Sequence, residues 1–449
     1  MVLSTQTEFI LSLLVLLGTA LVAGEIVIRL GQPALVGQLI TGVILGPYLL
    51  GPFYGVTTQT GVSPSLSAIQ FLATFLILFM AGMEMGPEEI YGMKLGTLLT
   101  GISVFLVPFG SCFVVAYFLF PSSSLLVVLF IAVTVSITAL PVMGIMISEF
   151  GLTGSRLGRL AMTVALINEL TALTVFAILL QVYNGGGHPT VFSLAIALGS
   201  VALFLAVVLV ANRILVLLHQ RDAGKPREDG KSLSDRAAAL VRYREAGFMI
   251  LMVLALGAAL LSQALGLTFV IGAFYAGILV TPSSVGERAY KTARSALNVV
   301  CWGFFIPLFF AITGLQVNVT VFLALASLGT VLALFTVAAS AKIGAGSVAA
   351  KLQGWDSPNA LAFGFMVNSR GAVEIAMAVI LLGDGVLSSS LFTVVVAVGV
   401  ATTILAPIGA MRSWRMTGKS REELAQRMPG LVGKGGAPPL APPRIAEEP

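Results

Sequence analysis

Apolar residues run along this chain in stretches of about 20, divided by short polar breaks. A helix needs about that length to cross a bilayer. Measured this way, the chain holds thirteen segments, at roughly 9–30, 33–50, 65–85, 93–119, 123–148, 157–183, 191–218, 245–265, 267–282, 296–315, 320–350, 358–382 and 387–411. The ninth is short for a span, and the eleventh is long enough to tilt or to run on into the cytoplasm. The first has no basic region ahead of it and no small-residue cleavage site, so it reads as a retained helix and not as a signal peptide.

Composition narrows the class. Of 449 residues, 57% are hydrophobic and 10% charged, whereas a soluble domain carries charge on about a quarter of its residues. The chain cannot cover a soluble surface and reads as an all-α polytopic membrane protein. Cys112 and Cys301 lie inside apolar segments, as packing residues do. His188 and His219 sit at segment ends, which leaves no metal cluster to expect.

Charge then sets the orientation. Arg29, Lys94, Arg156, Arg159, the eight basic residues from Arg213 to Arg244, the trio Arg288, Lys291 and Arg294, and Lys351 all follow odd-numbered segments. Seven more, from Arg412 to Arg444, lie in the tail, and loops after even-numbered segments hold none. Basic residues mark the cytoplasmic side, so the N-terminus is expected outside and the C-terminus inside. The net charge of +5 is then orientation and contact with anionic lipid, not a nucleic-acid face.

Two basic residues escape this pattern. Lys342 and Arg370 fall inside apolar segments, where ionisable groups are costly and usually functional. Glu169 lies at the midpoint of the sixth segment beside Asn168, and Glu374 one turn beyond Arg370. Glu25 and Arg29 are also four apart, but near a segment end, where a structural pair is expected. Glu84, Glu88 and Glu89 mark a segment exit, and Asp384 a loop.

Two segments are interrupted at mid-depth. The fifth holds "SITALP", Ser136 to Pro141, where the proline disturbs the preceding turn; the twelfth holds "NSRG", Asn368 to Gly371. Five and twelve differ by seven. That offset pairs the first six segments with the last six in opposite orientation, as two inverted six-helix repeats with crossed broken helices. Such paired interruptions point to a transport site at the midplane. Taken singly, Pro141 reads as a kink and Gly371 as a close-packing residue. The division expected is a first repeat over 1–183, a linker helix and cytoplasmic loop over 184–244, a second repeat over 245–411, and a disordered cytoplasmic tail over 412–449.

These residues resemble the monovalent cation:proton antiporters, on the branch with the Kef-type and plant CHX-type exchangers. The likeness rests on "QPALVGQLITGVILGPYLLGP", "FMAGMEM", "SITALPVMGIMISEFGLTGSRLGRLAMTVALINEL", "LFFAITGLQ", "AKIGAGSVAAKLQGW" and "NSRGAVEIA", in order over roughly 10–410. The resemblance implies a homodimer in the cell (inner) membrane. It also implies that Glu169 binds cation and proton in turn, beside Asn168 where the family usually has a first carboxylate. The hydroxyls of Ser136 and Thr138 match those of the fifth-helix crossover, and Lys342 matches a lysine that pairs with the first carboxylate. Arg370 and Glu374 match an "RG..E" element. Asn168 departs from the pattern and deprives Lys342 of its acidic partner.

The chemistry agrees with this likeness. A partly dehydrated carboxylate binds protons more readily than one in water and can release one when a cation arrives. Oxygens of Glu169, Asn168 and Thr138 suit a hard monovalent ion, Na⁺ or K⁺. No P-loop or dinucleotide fingerprint is present, so gradient-driven exchange without a cofactor is expected, and no enzymatic reaction. Three other readings stay open: a Glu169–Lys342 ion pair that merely joins two helices, an organic-anion symporter on the same plan, and a non-transporting membrane regulator.

Overall fold

The computed structural model describes residues 5–30, 32–51, 62–83, 95–152, 155–186, 191–223, 246–285 and 287–415. Glu84, Glu88 and Glu89, His188, most of the loop expected before residue 245 and the tail after Arg415 lie outside them. Among the described residues the chain is helical throughout, with no strand. In hydrocarbon a helix satisfies its own backbone groups, which an open strand cannot.

The helices are α1 (Thr5–Arg29), α2 (Ala34–Leu45), α3 (Pro64–Met83), α4 (Leu95–Leu119), α5 (Leu125–Thr134), α6 (Leu140–Glu149), α7 (Arg156–Asn184) and α8 (Val191–Ala223). They continue with α9 (Ala246–Ala264), α10 (Phe269–Leu279), α11 (Pro282–Val285), α12 (Glu287–Val300), α13 (Ile306–Leu315), α14 (Leu325–Leu352), α15 (Ser357–Val367), α16 (Ala372–Gly383) and α17 (Ser389–Arg415). Eight helical stretches among the described residues are long and apolar enough to cross a membrane, and five more are apolar but shorter.

Local chemistry fixes several ends. Ser155 caps α7 by accepting the Gly158 N–H at 2.9 Å. Ser124 and Thr268 cap α5 and α10 in the same way, satisfying donors that a helix start leaves open. The basic trio expected in a loop instead lies on or beside a helix. There α12 runs through a π-helical turn (Cys301–Phe305) into α13, and Lys291 pairs with Glu287 at 3.1 Å on its exposed side. Arg29 pairs with Glu25 at 3.0 Å, both more than half exposed.

Packing follows a repeated plan. α1 lies on α2 as α9 lies on α10; α2 crosses α13 as α10 crosses α3; and α4 crosses α14. Both of the first crossings are glycine contacts. A Cβ on Gly42 would strike the Ala311 carbonyl and sit 2.8 Å from Gly314 Cα, and one on Gly82 would strike the Phe274 carbonyl and sit 3.0 Å from Gly277 Cα. Membrane helices gain little from hydrophobicity against lipid, so close backbone approach through small residues supplies the attraction. α4 and α14 pack against α5, α7, α15 and α17, with α6 lying against α7 and α16 against α17, and this group of helices and their breaks carries the buried charges. Cys112 and Cys301 are free and buried.

Candidate functional site

The fifth and twelfth predicted segments each fold as two half-helices. α5 closes at Thr134 and α6 opens at Leu140; α15 closes at Val367 and α16 opens at Ala372. Pro141 is the second residue of α6, so the break precedes it. In a first turn the missing proline N–H costs nothing, since that donor has no partner in the helix.

The two breaks touch. Thr138 Oγ1 donates to the Val367 carbonyl at 2.8 Å, and the Ala139 N–H donates to the Ser369 carbonyl at 3.1 Å. Gly371 adopts extended backbone, so its conformation does not demand glycine. Its surroundings do: a Cβ there would lie 2.7 Å from Val142 Cγ2 and 3.1 Å from Ala139 Cβ.

From α7, Asn168 and Glu169 reach this contact. Asn168 Oδ1 accepts the Thr138 N–H at 2.6 Å, and Glu169 Oε2 accepts the Leu140 N–H at 3.1 Å. Both side chains thus hold the start of α6, where the first N–H groups lack partners within the helix. That end also carries partial positive charge, which a carboxylate complements.

Lys342 arrives from α14, fully buried, and its Nζ donates to the Ser136 carbonyl. The Ser136 hydroxyl turns back on its own helix, donating to Ala132 at 2.6 Å. Of the two crossover hydroxyls, Thr138 therefore ties the breaks together, while Ser136 offers the lysine its carbonyl. With asparagine at 168, a backbone oxygen receives the amine.

Arg370 and Glu374 form an ion pair, Nη1 to Oε1 at 3.2 Å, with side chains 0% and 1% exposed. Thr403 of α17 fixes the arginine backbone, accepting its N–H at 3.2 Å and donating to its carbonyl at 3.0 Å. Glu169, Lys342, Arg370 and Glu374 are the buried charged side chains among the described residues. Two acids balance two bases.

Sequence reading gave Asn368 no separate role. It is fully buried, and neither atom of its amide has a partner within the protein. Asn168 Nδ2, Ser369 Oγ and Glu374 Oε2 share this condition. Buried polar atoms of this kind are ordinarily completed by water or an ion. The signal was an amide at mid-depth in an apolar segment, overshadowed by the adjacent Arg370. Thr403 gave no such signal, because hydroxyls within apolar helices are common and usually bond their own helix.

The family described as sodium/hydrogen exchanger, transmembrane, matches residues 13–412. The chain is 27% identical over 393 residues to K⁺/H⁺ antiporter 1 of Saccharomyces cerevisiae, across 83% of this chain and 42% of that protein. It is 27% identical over 425 residues to the Na⁺/H⁺ antiporter NhaS4 of Synechocystis sp., across 90% and 96%. It thus spans less than half of the yeast relative and nearly all of the cyanobacterial one. The solved structure of the sodium proton antiporter MjNhaP1 from Methanocaldococcus jannaschii has the same fold, with a TM-score of 0.55 at 15% identity over 92% of this chain and 100% of that one.

Proposed function

The chain belongs to the sodium/hydrogen exchanger family of multi-pass membrane proteins, and we propose that it exchanges protons for a monovalent cation, Na⁺ or K⁺, by secondary active transport. The observation that carries this reading is the pair of hydrogen bonds from Thr138 and Leu140 to Asn168 and Glu169. They hold a carboxylate at the start of a half-helix, beside the second break, within a balanced set of buried charges.

Glu169 binds the cation and the proton in turn. Asn168, Thr138 and Asn368 supply neutral oxygens around it, and the half-helix ends supply partial charge. Lys342 and the Arg370–Glu374 pair hold the surrounding potential while the cargo changes. Each cycle moves one cation against one proton, because Asn168 offers no second proton site. The names of the relatives cover both Na⁺ and K⁺, so the cargo is given as either.

Thirteen spans arranged as two inverted repeats, over 1–183 and 245–411, belong to the same proposal. The repeated packing of α1–α2 with α9–α10, and of α2–α13 with α10–α3, supports it. So does the matching of Gly42 and Gly314 by Gly277 and Gly82. Rocking of one bundle against the other alternates access, with the N-terminus outside, the C-terminus cytoplasmic, and a homodimer in the cell (inner) membrane. Purified protein in liposomes loaded with a pH probe tests the reading: addition of Na⁺ or K⁺ drives proton movement, whereas choline does not. No proton movement with any alkali cation would reject it.

A further inference from the structure

The second break leaves backbone groups without helical partners, and a buried peptide group left unpaired costs as much as a lost hydrogen bond. One peptide there is satisfied on both sides from outside its own segment. The carbonyl of the Ser369–Arg370 peptide accepts the Ala139 N–H at 3.1 Å, and its N–H donates to Thr403 Oγ1 of α17 at 3.2 Å. A peptide is a rigid plane, so this one joins α17 to the first break. The next residue along that break is Leu140, whose N–H donates to Glu169 Oε2 at 3.1 Å.

Thr403 is 1% exposed. Its one proton lies within reach of the Arg370 carbonyl at 3.0 Å and of the Gly399 carbonyl at 2.8 Å. Gly399 stands one turn earlier on the same face, where a Cβ would lie 3.0 Å from Glu374 Oε1. α17 thus meets the second broken helix both at its break and at its carboxylate. Thr402 gives the contrast. It is just as buried, but its hydroxyl bonds within its own helix, 2.9 Å from the Val398 and Gly399 carbonyls.

We propose that Thr403 is a positioning residue for exchange. By holding the Ser369–Arg370 peptide it keeps the first break in register, and with it the Leu140 N–H that serves Glu169. Thr403→Val nearly keeps the side-chain shape and removes the hydroxyl. The Arg370 N–H is then buried without its acceptor, the peptide plane turns, and the Leu140 donor moves with it. That Glu169 carries the cargo rests on the antiport reading above; the link from Thr403 to the first break does not.

Two measurements test it. In liposomes, Thr403→Val raises the KM for Na⁺ or K⁺ about two- to tenfold, the worth of one hydrogen bond. Thr403→Ala, which also lacks the hydroxyl and adds no bulk, does the same. Thr403→Ser restores the wild-type KM, and Thr402→Val leaves it unchanged. A merely structural loss would lower the active fraction, and so the maximal rate, without moving the KM. An unchanged KM in both Thr403→Val and Thr403→Ala, or an equal rise in Thr402→Val, overturns the proposal. The second readout needs no transport: amide hydrogen exchange over residues 137–142, followed by mass spectrometry. Exchange there is about two- to tenfold faster in Thr403→Val and unaltered in Thr402→Val, because the Ala139 N–H loses its fixed acceptor. Wild-type exchange in Thr403→Val overturns the link. Absence of cation-driven proton movement in the wild type would sink the antiport reading, and hydrogen exchange would still decide whether Thr403 holds the break.

Discussion

The side-chain oxygen of Asn168 accepts the backbone N–H of Thr138 at 2.6 Å. Where the family resemblance implies an acid paired with a lysine, an amide here fixes the non-helical turn ahead of α6. The neighbouring residue is thereby held where the half-helix begins. Position 168 fastens the break, and Glu169 accepts the Leu140 N–H beside it.

Removing the fastening has a measurable cost. Asn168→Ala leaves the Thr138 N–H buried without its acceptor, a loss of about 1–3 kcal/mol. A thermal unfolding scan in detergent will show a lowered midpoint, and proton flux will fall with it. Wild-type stability in Asn168→Ala would mean that the bond does not hold the break.

Close packing at the second break makes Gly371 sensitive to size. Gly371→Val forces side-chain atoms against Val142 and Ala139, and overpacking of this kind costs about 1–3 kcal/mol. Reduced folded yield and slower exchange are expected. Normal yield and rate would show that the two breaks part more easily than their contact distances imply.

Much of this was legible in the sequence. Lys342, Arg370, Glu374 and Glu169 stood out because charge is rare in apolar segments, and the structure buries all four. The interruptions at SITALP and NSRG stood out because hydroxyls, amides, proline and glycine disturb an apolar run. What the sequence withheld was direction. Nothing in it says that Ser136 turns its hydroxyl onto Ala132 and its carbonyl to Lys342, since that choice is made by helices far apart in the chain. The part of the helix Glu287–Val300 ahead of residue 296 was also missed, because its polar residues broke the apolar run that marked the other segments.

Charge balance gives the next expectation. If Glu169 alone exchanges cation for proton, each cycle moves equal charge in both directions. Exchange in liposomes will then ignore a membrane potential imposed by a permeant ion foreign to the site. Lys342→Gln will slow or destabilise the protein without altering the ratio. A reversal point that shifts with voltage, and stops shifting in Lys342→Gln, would assign the lysine a proton of its own.

Orientation can be read by labelling. Cysteines at Ser122 and Gly186, both exposed at helix ends, should react with an impermeant thiol reagent applied outside intact cells. A cysteine at Ser357, exposed at the opposite end, should react only after the membrane is opened. External labelling at Ser357 would reverse the orientation that the basic residues imply.

Alternate carriage of cation and proton by the Glu169 carboxylate, as proposed above, is open to a direct test. Glu169→Gln keeps the side-chain shape and removes the titrating charge; Glu169→Asp keeps the charge on a shorter arm. The decisive measurement is cation-driven proton flux through purified, monodisperse Glu169→Gln in liposomes, beside the wild type and Glu169→Asp. Background flux is expected in Glu169→Gln and partial flux in Glu169→Asp. Wild-type flux through well-folded Glu169→Gln would contradict it.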